Sequence, residues 1–541
     1  MAFFQRRMAD TIEKMARRVR EHASQQVQRH LHFTQPHSHY RAQYNLHHRG
    51  DYLFIHEKIS AKRTFHRESL EMAALLLLLC ALALYGVSAY LRISPGVVFV
   101  AAAMAFYLSS ILFKLFVFYL ALRKGIPDPA QADLAAMQPH RLPVYTVLVP
   151  IYKEASSVRG LVNGLNGIAY PRSRLDIKLL VEADDAPTRA ALDECRKIMG
   201  PEYQVLVLPH GHPKTKPRAL NAGLLEAKGE FLTIYDAEDI PARDQLKKAA
   251  WIFRHSEPQL VALQCKLNFY NPHENLLSKW FTAEYAVWFD FVLPGLHLLN
   301  LPIPLGGTSN HFRTESLRQI GGWDPYNVAE DADLGLRICR AGGRVGMMDS
   351  TTYGQSDPSQ TTGNRYGVGM MESFTLEESN TVLEHWVNQR SRWVKGYLQT
   401  FLVHARHPLQ AVRDYGWRGT TTLVFLILGT PVTHALNFIF WAMAALWVLT
   451  QAGWVTAIFP EPLLTMGWVS FVVGNAIFIG MHVLAPLRKG YDRVAFWSLF
   501  IPLYWLLMAI ATFKALWQLA FKPHYWEKTP HGQSQPPTPV I

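Results

Sequence analysis

Two apolar runs, residues 72–91 and 97–120, are separated only by the turn RISPG, and no other feature restricts the fold of this chain so strongly. At 1.5 Å per residue, each is long enough as a helix to cross a hydrocarbon core of about 30 Å. Backbone in lipid must satisfy its own polar groups, so the pair is expected to form a helical hairpin. Arg123 and Lys124 follow at once. Basic residues flank the cytoplasmic side of spans, which places the chain beyond residue 124 in the cytoplasm. Three more apolar runs, roughly 423–449, 463–484 and 494–519, come near the end, with the basic loop PLRKGYDR (486–493) between the last two.

Composition agrees with a chain divided between two solvents. Hydrophobic residues make up 49% of the 541 positions, yet 18% are charged. Much of the formal +12 charge lies in residues 1–68 and beside the apolar runs, a pattern that points to a membrane surface and away from nucleic acid. The first 68 residues also hold nine of the 23 histidines; a metal-binding tract and a lipid-facing basic arm are both open readings. The start of the chain has no apolar signal-peptide core and is expected to stay cytoplasmic. Cys80, Cys195, Cys265 and Cys339 are scattered, so neither a structural zinc site nor a disulfide framework is expected.

Between about 140 and 410, strand-like and helix-like stretches alternate. VYTVLVPIY (144–152), IKLLVEAD (177–184), YQVLVLP (203–209), EFLTIYD (230–236) and LVALQCKLNF (260–269) are the strands, with amphipathic stretches between most of them. This order predicts an α/β domain with a parallel sheet covered by helices. Ligands bind such sheets beyond the carboxyl ends of the strands, where Asp184, Asp185, Asp236 and Asp239 fall.

Asp236, Glu238 and Asp239 crowd three carboxylates into four residues. Their repulsion is relieved by a hard divalent cation completed by substrate phosphates, or the acids simply begin a helix. Lys216 and Arg218 in KPRALN precede another helix, a setting suited to a phosphate. In NVAEDADLGLRICRAGG, Glu330, Asp331 and Asp333 offer a general base or a helix cap. Gln389, Arg392 and Trp393 precede a span, as an interfacial anchor or as a stacking and anion site.

The order VLVPIYKEA, VEADD, KPRALN, YDAED, AED and QRSRW resembles the membrane-integrated family 2 glycosyltransferases, the group of cellulose, hyaluronan and chitin synthases. The resemblance implies a GT-A domain, a Rossmann-like nucleotide-sugar-binding fold, inserted between transmembrane helices of a polytopic protein of the bacterial inner membrane. Its implied divisions are a basic N-terminal region 1–68, a membrane hairpin 69–124, a cytoplasmic domain with interfacial helices 125–415, a membrane region 416–521, and a gating motif with a tail at 522–541.

By the same resemblance, Tyr152, Glu154, Glu182 and Asp184 cradle the nucleoside of a UDP-sugar, and Lys216 and Arg218 lie near its diphosphate. Asp236, Glu238 and Asp239 hold Mg²⁺ or Mn²⁺, although Glu238 stands where many relatives have Asp. Asp331 is the base, Glu330 lies on the acceptor side, and Ala329 replaces the usual Thr. Gln389, Arg392 and Trp393 match QxxRW, which holds the diphosphate and the end of a growing polysaccharide. KPHYWEKTPHG (522–532) resembles a gating loop, with Trp526, Lys528 and Thr529 closing over the nucleotide.

LGGTSNHF (305–312) replaces the FFCGS of many cellulose synthases, which weakens the case for cellulose itself. The expected activity is processive, inverting polymerisation of UDP-glucose into a β-glucan that crosses the membrane. UDP-N-acetylglucosamine as donor and single transfer to a lipid or short oligosaccharide are the alternatives, and a periplasmic or regulatory subunit is a further partner the resemblance allows. One conflict is visible in advance. Two leading and three trailing spans put Lys528 across the membrane from the nucleotide, so either 420–450 adds a crossing, 494–521 is re-entrant or the gating reading fails, and a segment broken near Pro431 or Pro502 is the favoured expectation.

Overall fold

The computed structural model describes residues 47–49, 52–54, 60–64, 78, 81–126, 129, 131–348, 351–352, 371–372 and 375–527. Lys528, Thr529 and residues 72–77, 79 and 80 of the first expected span therefore lie outside the described residues, while Ala81–Leu91 of that span is an apolar helix. The second span is helix α1 (Pro95–Arg123), entered through a proline in its first turn.

The strands of the soluble domain are β1 (Tyr145–Ile151), β2 (Leu175–Glu182), β3 (Tyr203–Leu208), β4 (Phe231–Ile234), β5 (Leu260–Cys265), β6 (Leu267–Phe269), β7 (Asn310–Arg313), β8 (Arg344–Met348) and β9 (Thr375–Glu377). Seven form one sheet in the order β8-β5-β7-β4-β1-β2-β3. Every pairing is parallel except those of β7, which runs antiparallel to β4 and β5. All eight residues of β2 are buried, as expected of a strand covered on both faces. The register sets Val147 beside Ile177 and Thr233, so the carboxyl ends of β1, β2 and β4 open on one edge.

Two features depart from the sequence expectation. The run 260–269 is two strands: β5 belongs to the main sheet, while β6 pairs with β9 in a separate two-stranded sheet. In addition, β7 fills the gap between β4 and β5 with only NHFR, too short and too polar for a periodic signal. Tertiary contact holds it there; the His311 ring nitrogen Nδ1 and the Tyr145 hydroxyl are 2.6 Å apart.

The helices that carry or support the site are α2 (Lys216–Leu225), α3 (Leu276–Val287), α4 (Glu330–Arg340) and α5 (Leu383–Ala405). They are followed by α6 (Pro408–Thr450), α7 (Leu463–Arg488) and α8 (Ile501–Phe521). By length and apolarity, α1, α6, α7 and the stretch Asp492–Phe521 are each long enough to cross a membrane.

The helix α8 packs along α5. Tyr504, near its start, meets Trp386 and Arg390 of α5, and beyond its end the Lys522 and Tyr525 carbonyls accept from Lys395 of α5. The helix α5 carries Arg390, Arg392 and Lys395 and is tied to the soluble domain along its length by Gln389–Asn380, Gln399–Val328 and His404–Asp333 contacts. Thus α8 runs along α5, and residues 522–527 lie beside the soluble domain. Pro431 does not break its helix, whose non-helical residue is Gly416 (φ 67°), and Pro502 lies in the first turn of α8. The helix therefore continues through Pro431, whereas the apolar run 494–519 is interrupted beside Pro502, where the helix Asp492–Trp497 gives way to the 3-10 turn Ser498–Phe500 before α8 begins.

Candidate active site

At the carboxyl edge of the sheet lies a pocket of about 290 Å³. Tyr152 and Glu154 reach it from the loop after β1, Glu182 from the last residue of β2, and Asp236 and Glu238 from the turn after β4. Glu330 and Asp331 enter from the first turn of α4, and Gln389, Arg392 and Trp393 from α5. Tyr152 sits beneath two cations, with the Lys153 and Lys214 ammonium groups 5.3 and 5.2 Å from its ring centre.

The anchoring of these groups follows from charge and burial. Arg218, almost wholly buried, donates to both Glu182 oxygens at 2.9 and 3.2 Å and to the Pro209 carbonyl. It does not line the pocket; its observed contact holds Glu182. Asp184, outside the lining, pairs with Lys214, which lines the pocket, and that hydrogen bond keeps the Asp184 carboxyl below the usual range. Lys216 pairs with Asp236 and donates to the Gly307 carbonyl at 2.8 Å. Burial alone would favour loss of its proton, but Asp236 and Glu330 outweigh that and hold the ammonium charged.

Asp239 is placed behind the pocket. One oxygen accepts from the Asp236 amide at 2.7 Å and from the Thr308 hydroxyl, while Oδ1 is buried without a hydrogen-bond partner among the described residues. Burial, then the nearby Asp236, pushes this carboxyl well above its ordinary range. Of the three acids at 236–239, Asp236 and Glu238 therefore face the pocket. They suit a hard cation completed by substrate oxygens rather than a closed protein cage, and no cluster of three ligating side chains occurs among the described residues.

Asp331 accepts from the Ala332 amide at 2.7 Å, and burial raises its proton affinity against the pull of Lys216 and Arg392. Glu330 beside it is pushed up to about 8 by burial and by Asp331. The approach of α5 to this turn needs Gly396, where an added Cβ would lie 2.3 Å from the Ala329 Cβ. That contact accounts for a small residue at position 329. The Arg392 guanidinium lies 4.7 Å from the Trp526 ring centre, joining α5 to the chain beyond α8. Lys214, Gly307 and Thr308 were not legible as site residues, because their roles depend on neighbours 30 or more residues away in the chain.

A mostly parallel α/β sheet with paired acids at its carboxyl edge, a carboxylate at a helix N-terminus and an Arg–Trp pair fits a GT-A fold. The profile described as "Glycosyltransferase like family 2" matches residues 142–396, from three residues before β1 into α5. Residues 142–396 thus form a domain similar to the family 2 glycosyltransferases, in a chain with four helices long and apolar enough to cross a membrane among the described residues.

It is 23% identical over 260 residues to "Probable glycosyltransferase YdaM" of Bacillus subtilis, covering 47% of this chain and 55% of that one. It is 24% identical over 315 residues to "Beta-monoglucosyldiacylglycerol synthase" of Synechocystis, covering 57% and 59%. With the "Cellulose synthase catalytic subunit [UDP-forming]" of Pseudomonas fluorescens it shares 26% over 270 residues, covering 49% and 32%. In each case the match spans less than two thirds of the relative's length. Among solved structures, the mannosyltransferase PcManGT from Pyrobaculum calidifontis, in complex with GDP-Man and Mn²⁺, aligns with a TM-score of 0.46 at 20% identity over 77% of this chain and 99% of that one.

Proposed function

We propose that the protein transfers a hexose from a UDP-sugar, with inversion, to an acceptor held where the soluble domain meets the helix bundle. One observation carries this reading: Asp331 and Trp393 line both the pocket at the sheet edge and a second cavity that continues between the membrane-length helices. A base at that junction can take the proton of an acceptor hydroxyl as the oxygen attacks the anomeric carbon from the face opposite the leaving diphosphate. An α-linked donor then gives a β-linked product. Burial favours Asp331 as a base by raising its proton affinity, and Arg392 and Lys216 provide fixed positive charge for the departing diphosphate. Asp236 and Glu238 would hold Mg²⁺ or Mn²⁺, which when bound supplies further charge neutralisation at the diphosphate. Tyr152, Glu154 and Glu182 bind the nucleoside, Gln389 and Trp393 orient the sugars, and Trp526 with the following Lys528 and Thr529 covers the donor.

UDP-glucose, polymerised processively into a β-glucan that enters the second cavity, is the leading substrate and outcome, with the transferase domain on the cytoplasmic face of the inner membrane. The mainly apolar walls of that cavity, including Ile111, Val292, Phe478 and Met508, favour a second reading, single transfer to a lipid. The test is UDP release by detergent-purified protein with Mg²⁺ or Mn²⁺ across UDP-glucose, UDP-N-acetylglucosamine, UDP-galactose and a GDP-sugar, with Asp331→Asn as the blank. Turnover with one UDP-sugar, abolished in the blank, supports the reading, and product length separates polymer from single transfer. Equal turnover in the blank overturns Asp331 as the base.

A further inference from the structure

The second cavity, of about 250 Å³, carries a charge that the transfer mechanism does not use. Lys114 of α1 lines it, nine residues before the helix ends at Arg123. One turn further along α1, Val117 meets Gly295, where an added Cβ would lie 2.1 Å from the Val117 carbonyl, and Phe118 stacks on Phe291 at 4.4 Å. Lys114 therefore sits where the bundle meets the interfacial segments. Among the described residues its ammonium has no hydrogen-bond or ion-pair partner.

Glu284 of α3 is within electrostatic reach of Lys114, but its Oε2 already takes Arg390 and the Tyr504 hydroxyl, the latter at 2.5 Å. Two cations share one carboxylate, which leaves this part of the cavity positive. Asp331, at the cavity mouth, is matched separately by Lys216 and Arg392. On α6, His434 Nδ1 and Thr430 Oγ1 line the same cavity, buried and without partners among the described residues.

An ionisable side chain on a membrane-length helix is expensive and is retained where a partner or ligand offsets its charge. The hydroxyls of a neutral sugar or glyceride need only neutral donors. We propose that the cavity recognises an oxyanion, a phosphate or a carboxylate borne by the acceptor, seated against Lys114 with His434 and Thr430 beside it. The word acceptor rests on the transferase reading; the anion site does not.

The test is direct binding to detergent-purified full-length protein without donor, using two probe pairs that differ in charge. One pair is dihexanoyl phosphatidic acid against dihexanoylglycerol, and the other a β-linked glucose trisaccharide with and without a terminal uronate. In one pair the anionic member should bind at least tenfold more tightly, and that pair identifies lipid or glycan as the source. Lys114→Met should reduce the preference below twofold, Lys114→Arg should retain it, and UDP affinity should be unchanged in both variants. No preference in either pair with the unaltered protein, or a preference that survives Lys114→Met, overturns the proposal. Absence of UDP binding by the unaltered protein would count against the transferase reading and leave the anion site standing.

Discussion

The His404 ring on α5 lies 3.1 Å from the Asp333 carboxylate on α4, and its other nitrogen is 2.6 Å from the Tyr415 hydroxyl. Asp333 is two residues past Asp331, and it also accepts from Arg337 at 2.7 Å. The contact fixes the helix bearing the proposed base against the helix bearing Arg392.

Burial would raise the Asp333 carboxyl, but Arg337 and His404 outweigh it and hold it low. Burial lowers His404, with Asp333 opposing, so the ring is neutral in the fold. Below about pH 6.5 the unfolded chain gains a proton that folded His404 resists, so stability is full above that pH and declines as pH falls. Thermal melts should show a Tm that drops from about pH 6.5 downward, with a shallower drop in His404→Gln. Asp333→Asn, which leaves Arg337 buried with less compensation, should cost about 3–5 kcal/mol in the same measurement.

Arg392→Lys keeps the charge but loses the planar stack on Trp526. Donor KM should rise about tenfold, and Trp526→Ala should show a similar rise, because both changes uncouple the chain after α8 from the pocket. Steady-state UDP release against donor concentration checks this. An unchanged KM in both variants would remove Trp526 from the donor site.

Lys216→Met leaves Asp236 without its cationic partner beside Glu330 and Asp331. Donor binding should weaken and be partly restored by raising Mg²⁺ or Mn²⁺. EDTA should reduce turnover of the unaltered protein by at least about two orders of magnitude, as expected when charge stabilisation of the leaving group is withdrawn. Activity indifferent to EDTA would exclude Asp236 and Glu238 as holders of a required cation.

Asp324, buried in the loop before α4, accepts from the Ser60 hydroxyl at 2.9 Å and the Ala61 amide at 2.6 Å. Asp324→Ala leaves both donors unpaired and should cost about 1–3 kcal/mol. Limited proteolysis should then cut near residues 60–64 faster than in the unaltered protein.

The α/β class, the carboxylate edge and the α5 aromatic–cation motif were legible in the sequence because each depends on local pattern. Continuous apolar runs define strands buried on both faces, and Asp236, Glu330 and Asp331 stand immediately after a strand or at a helix start. Asp239 and Arg218 show the limit of that reading. Sequence gives their charge, but only the fold turns Asp239 behind the pocket onto Thr308 and buries Arg218 against Glu182.

Long-range geometry decided the remainder. The strand β7 exists because the sheet has a gap for it, and the placement of residues 522–527 beside the soluble domain follows from α8 lying along α5, a contact between residues more than 100 positions apart. Apolar length, a property of the sequence by itself, determines that Asp492–Phe521 is long enough to cross a bilayer. Packing against the cation-bearing helix α5 determines the direction of α8, because hydrophobic burial is non-directional while the hydrogen bonds of Tyr504 and Lys395 are not.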